Sequence, residues 1–178
     1  MEVSDKVLVV TGGGAGIGPA LIREGVRRDV AAVVDVDGDR AQAVADEIDS
    51  PIPAVAYTCD VSVHADVVAL ARAIVTDLGT PGIVCSNAGV TGAGGPLIRM
   101  DPGDVEWVLA VDVRGVWNTC SVFGRLLRQA GVGSLLNTGS ERSVGVPHLG
   151  SGMYTTAKHA VLGTSDGEKG DLRVSAPR

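Results

Sequence analysis

The feature that most constrains this sequence is a glycine-dense run near its start, Thr11-Gly12-Gly13-Gly14-Ala15-Gly16-Ile17-Gly18. The run follows an apolar β-branched stretch, Val7 to Val10, which reads as a buried strand. It opens directly into a helix-like segment from Gly18 to about Arg28, where Pro19 is tolerated because the first helical positions need no intrahelical donor. Glycines between a strand and a helix let the main chain close on a pyrophosphate, toward which the helix start presents N–H groups and partial positive charge. Taken alone, such a turn also fits a tight connection with no ligand.

The rest of the chain alternates strands and helices. Val30 to Val34, ending at Asp35, Val55 to Tyr57, Ile83 to Ser86 and Leu135 to Asn137 read as strands. Asp39 to Asp49, His64 to Leu78, Asp104 to Ala130 and Met153 to about Leu162 read as helices between and after them. That alternation predicts an α/β architecture, a doubly wound parallel sheet with helices on both faces, in one domain over residues 1–178. No repeat, low-complexity tract or Pro/Ser-rich linker divides it. The 25 glycines among 178 residues keep no collagen-like period, so the excess points to close backbone approaches. A net charge of −6 gives no electrostatic footprint for nucleic acid or an anionic membrane surface, so a small-molecule partner is expected. The start, MEVSDK, does not read as a signal peptide and no stretch reads as a membrane helix, so a cytoplasmic location is expected. Cys59, Cys85 and Cys120 have no metal-ligand spacing and read as free core thiols in a reducing compartment. His64, His148 and His159 share no spacing that suggests a metal site.

Three further positions carry chemistry. Asp35, at the carboxyl end of the second strand, stands where a carboxylate accepts from ribose hydroxyls and repels the extra phosphate of NADP. Ala15 and Pro19 place no cation in the glycine turn, so NAD is the expected cofactor; the alternative for Asp35 is a solvated strand-end acid. Tyr154 and Lys158 are spaced i and i+4, on one helix face, where an ammonium favours phenolate and suits the tyrosine to acid/base work. An exposed polar pair is the alternative for so short a pattern. Ser140, just past the fifth strand, could hydrogen-bond a substrate carbonyl or cap a loop.

In this order and spacing the chain resembles the short-chain dehydrogenase/reductase family. The matching elements are Thr11-Gly12-x-x-x-Gly16-Ile17-Gly18, Asp35, Asp60-Val61, Asn87-Ala88-Gly89, Ser140 and Tyr154-x-x-x-Lys158. The resemblance covers residues 3 to about 165 and implies a Rossmann-like, three-layer α/β/α domain that binds a nicotinamide cofactor. It implies cofactor contacts from Gly12, Gly14, Gly16, Ile17, Gly18, Asp35, Asp60, Val61, Asn87, Ala88, Gly89, Tyr154 and Lys158. Tyr154 would be the acid/base, Lys158 would hold the nicotinamide ribose, and Ser140 would position the reacting oxygen of an alcohol or carbonyl substrate. The family's long helix also packs subunits together, so Trp107 and Trp117 face either a partner in a homo-oligomer or the core.

Two departures stand out. Val111-Asp112-Val113-Arg114-Gly115 carries Asp where the family has an asparagine that helps hold a proton-relay water near the lysine. Asp112 therefore joins the expected catalytic set, as a carboxylate beside Lys158 that slows the relay. Thr164 to Lys169 is polar and glycine-bearing where a packed helix should continue, and Arg173 to Pro177 reads as a compressed sixth strand. On that reading the family's final strand and the elements covering its substrate are missing. Three readings follow: an NAD-dependent alcohol/carbonyl oxidoreductase, a catalytically weak or inactive NAD-binding protein derived from one, and a degraded product with no stable role.

Overall fold

The computed structural model describes residues 6–27, 30–49, 54–131, 133–145 and 150–171. Five parallel strands, β1 (Val7–Thr11), β2 (Val30–Asp35), β3 (Ala54–Thr58), β4 (Pro81–Ser86) and β5 (Ser134–Asn137), form one sheet in the order β3-β2-β1-β4-β5. Strand β4 lies beside β1 rather than β3, so the winding reverses between them and the carboxyl ends of β1 and β4 diverge into a crevice. The glycine run leaves β1 at that point.

The strands alternate their side chains between two cores, as their period of two requires. Val7, Val9, Ala32, Val34 and Val84 meet Val67, Leu70, Ala71 and Ile74 of α3 (His64–Asp77) and Phe123 and Leu127 of α5 (Val116–Ala130). On the opposite face Leu8, Val10, Ala31, Val33 and Cys85 meet Ile22 and Val26 at α1 (Gly18–Gly25), with Ala41, Val44 and Ala45 of α2 (Gly38–Asp46). The expected doubly wound sheet is therefore present. Helix α1 ends before Arg28, which lies outside the described residues.

The expected helix from Asp104 to Ala130 is one rod in two pieces. Helix α4 (Pro102–Leu109) begins at Asp101, whose side chain accepts from Gly103 N. One π-helical turn, Ala110–Gly115, joins it to α5, and Gly131 at φ +70° ends the rod. The wider turn buries Asp112 and leaves Arg114 outside, donating to Ser62 O at 3.0 Å.

Helix α6 (Gly152–Asp171) corrects the expectation of a helix that ends at about Leu162. Thr164 and Ser165 return their hydroxyls to Ala160 O and Val161 O, while Gly163 and Gly167 face open space. The polar stretch is anchored from the sheet: Asn137 Nδ2 donates to Ser165 Oγ and Glu168 Oε2, both at 3.0 Å, and Cys120 Sγ donates to Asn137 Oδ1. Replacing Glu168 with alanine removes that acceptor from a half-buried amide and is expected to cost about 1–2 kcal/mol, read as a lower urea midpoint. Unchanged stability would show that the anchor is idle. The expected sixth strand, Arg173 to Pro177, lies outside the described residues.

Candidate active site

The crevice holds a cleft of about 540 Å³. Its floor is stitched by Thr11, whose hydroxyl donates to Cys85 O (3.4 Å) and accepts from Asn87 N and Ala88 N (3.0 and 3.1 Å). Asn87 Nδ2 donates back to Thr11 O and Gly12 O, and Asn87 Oδ1 accepts from Thr138 Oγ1 at 3.0 Å. Three strand ends are thereby joined beneath the cleft. Gly12 needs both its conformation (φ +64°) and its missing side chain, because a Cβ there would lie 2.8 Å from Ala88 Cα. The N-cap of α1, Ile17, makes no side-chain cap, and Gly16 and Ile17 line the cleft, so an uncapped helix start faces it.

Asp35 closes one end. Its Oδ2 accepts from Gly14 N at 2.9 Å and its Oδ1 from Asp37 N at 3.1 Å, which orients the carboxylate while leaving lone pairs for hydroxyl donors. Asp60 and Val61 form the adjacent wall, with Asp60 Oδ1 accepting from Ser62 N and Val61 O accepting from buried Asn118. At the other end Tyr154 and Lys158 lie side by side, the ammonium 5.6 Å from the ring centre. Lys158 Nζ donates to Thr138 O at 3.1 Å and stands 3.5 Å from Asp112 Oδ2. Burial pushes the Asp112 carboxyl up from its ordinary range, against the opposing pulls of Val90 N–H and Lys158.

Of the expected site residues, Gly12, Gly16, Ile17, Asp35, Asp60, Val61, Asn87, Ala88, Gly89, Tyr154 and Lys158 all line the cleft. Gly14 and Gly18 act from behind, one through its N–H on Asp35 and the other by admitting Gly12 O against the helix start. Ser140 caps a short 3-10 turn (Glu141–Ser143), its Oγ accepting from Arg142 N at 3.2 Å. Ser143 locks that turn to α6 by donating to Lys158 O at 2.8 Å.

Sequence reasoning missed Ser143, Thr138 and Arg40. Arg40 lines the cleft beside Asp35, its Nε 3.0 Å from Asp37 Oδ2. No cation stands in the glycine turn itself, but one reaches the same end of the cleft from α2. The signal was its place in the first turn after N-cap Asp37, from which a long side chain leans back toward the strand end.

Trp107, unlike Trp117, also lines the cleft. Trp107 and Trp117 are 50% and 55% exposed, which excludes the core option. Trp117 stacks obliquely on His64, whose Nδ1 bonds Asn118 Oδ1. His148 lies outside the described residues, and no group of three or more His, Cys, Asp or Glu could hold a metal among the described residues. The cysteines are free and buried as expected, and burial pushes the Cys59 thiol up to about 11. No helix of the described residues is long and apolar enough to cross a membrane.

A family model described as short chain dehydrogenase matches residues 6–174. The chain belongs to that family. A short-chain dehydrogenase/reductase from Burkholderia phymatum, solved in complex with NAD, superposes with a TM-score of 0.90 at 32% identity, over 97% of this chain and 62% of that one. A metagenomic short-chain oxidoreductase in complex with NADP gives 0.89 at 27%, over 96% and 78%. Momilactone A synthase of Oryza sativa subsp. japonica is 33% identical over 171 residues, covering 94% of this chain and 61% of that protein. The chain thus spans 61% of the length of Momilactone A synthase and likewise 61% of (+)-borneol dehydrogenase 2 of Salvia officinalis, to which it is 30% identical.

Proposed function

We propose that this chain is an oxidoreductase interconverting a small-molecule alcohol and a carbonyl, with NAD as its cofactor and Tyr154 as the acid/base. The observation that carries the reading is the placement of Tyr154 and Lys158 on the wall of a cleft whose other end is the oriented carboxylate of Asp35. The uncapped start of α1 and the side-chain-free approach at Gly12 fit a pyrophosphate, and the free lone pairs of Asp35 fit ribose hydroxyls. When bound, the nicotinamide supplies the hydride chemistry.

The chain's own residues orient and move the proton. Tyr154 exchanges a proton with the substrate oxygen at its phenolic Oη. Lys158 Nζ, held by Thr138 O, keeps donors for ribose hydroxyls and a positive charge beside the ring. Ser140 Oγ already accepts from Arg142 N, so its hydroxyl hydrogen is left to donate to the substrate oxygen. The test is titration with NADH by fluorescence, followed by assay of a panel of secondary alcohols with NAD. Absence of NADH binding sinks the proposal. Binding with no turnover of any alcohol supports the second reading, an NAD-binding protein with weak or no activity, which the carboxylate at position 112 favours.

The choice of NAD over NADP rests on Asp35 and on the glycine turn, where Ala15 and Pro19 place no cation. An Asp35→Ser variant is expected to shift the ratio of the two affinities toward NADPH by on the order of tenfold, about 1.4 kcal/mol. Arg40 at the same rim supplies the cation that an added phosphate needs once the repelling carboxylate is gone. An unchanged ratio would remove Asp35 from cofactor selection.

A further inference from the structure

The buried pair behind the cleft has features that a neutral amide at position 112 would not have. Asp112 is fully buried, and its Oδ1 is fixed by Val90 N at 2.7 Å. Its Oδ2 has no hydrogen-bond partner and faces Lys158 Nζ at 3.5 Å, too far for a bond but close enough for a strong charge interaction. The ammonium, with its side chain 4% exposed, gives its hydrogen bond to Thr138 O instead. Gly89 and Lys158 line the cleft and Asp112 lies behind them; a Cβ at residue 89 would lie 3.3 Å from Nζ and 3.4 and 3.5 Å from the two carboxylate oxygens.

The surroundings isolate this pair. From α6, Lys158 is the charged group acting on Asp112, with the Tyr154 ring beyond it and His159 exposed and bonded to Thr155 O. From the π turn Arg114 points out to Ser62 O. From α4 Glu106 is exposed and Asp104 half-buried, and from α5 Cys120 turns to Asn137 while Arg125 and Arg128 are exposed.

We propose that Asp112 is a positioning residue that holds the Lys158 ammonium in a charge-neutral pair, and that one proton on its carboxyl releases the lysine's charge to the cofactor. The inference rests on the cofactor reading above and adds a control that the asparagine of the family pattern cannot exert. With Asp112 ionised, the nicotinamide end of the cleft carries no net charge from this pair. With Asp112 protonated, or with Asn in its place, the same end is cationic toward an anionic dinucleotide.

The linkage has a definite sign. A buried carboxyl whose folded-state pKa lies above the ordinary value contributes stability that is present below that ordinary value and lost as pH rises through the folded one. Two measurements on the whole chain, wild type against Asp112→Asn, test the proposal between pH 4.5 and 8. NAD affinity by calorimetry is expected to converge for the two proteins at the acid end and to favour the variant by about three- to tenfold at the upper end. A constant affinity ratio across the range overturns the proposal. Thermal midpoints need no cofactor: the wild type is expected to lose ground to the variant as pH rises, and parallel curves overturn the proposal whether or not NAD binds. Converging midpoints with no NAD binding would overturn the cofactor reading, and with it the release step, while leaving the buried pair standing. Should Asp112→Asn fail to fold, Lys158→Met strips the carboxylate of its cation and is expected to steepen the wild type's loss of stability with rising pH. An unchanged pH slope in Lys158→Met overturns the pair.

Discussion

Replacing Tyr154 with phenylalanine is expected to lower turnover of a secondary alcohol by about 10²–10⁴-fold, the usual range for losing a positioned acid/base. The change removes one oxygen and keeps the ring, so the face toward Lys158 Nζ, 5.6 Å away, is preserved. Affinity for NADH is therefore expected to stay within a few-fold of wild type, because Lys158 retains its bond to Thr138 O and Asp35 is remote. Stopped-flow hydride transfer and fluorescence titration of the same preparation separate the two effects. Equal turnover in both proteins would remove Tyr154 from the chemistry.

The second large effect is expected at Gly18. A methyl group there would overlap Gly12 O and come within 2.7 Å of Gly13 Cα, and both neighbours are backbone that no rotamer change can move. Gly18→Ala is expected to open the turn between β1 and α1, lower the thermal midpoint by several degrees and weaken NADH binding by more than tenfold. Gly16 is a different case. A methyl group there meets nothing within 4 Å, but the residue sits at φ +60°, so Gly16→Ala costs about 1 kcal/mol of conformational strain and a smaller loss of binding. Equal losses at the two positions would contradict this division between space and conformation.

The sheet and the Asp35 end of the cleft were legible because local signals there agree. Strand Val7–Thr11, the glycine turn, helix Gly18–Gly25 and Asp35 fall within thirty residues of one another, and each needs only its immediate neighbours to be read. What escaped depends on distant partners. Residues 164–169 look unsuited to a packed helix until Asn137, 31 residues before Glu168, donates from the sheet to Ser165 and Glu168 through its half-buried amide. Arg40 escaped because it meets the cleft from the first turn of α2, with its guanidinium on Asp37, a placement that spacing does not encode. The π turn at Ala110–Gly115 keeps the apolar spacing of the helix around it, so only the departure at Asp112 marks it in the sequence. The same departure located the charge pair in the sequence, but not its orphaned oxygen.

The stitched floor has a consequence for how binding free energy is distributed. Thr11, Asn87 and Thr138 hold the ends of β1, β4 and β5 through side-chain bonds that are complete without any ligand. On the proposed function, a dinucleotide settling there would order little of the protein beneath it, so little conformational entropy would be surrendered at the floor and more of the contact energy would survive as affinity. In this sense the floor is a preorganised template for the proposed cofactor. Adaptation to different substrates is then left to the parts of the cleft that these three residues do not tie down.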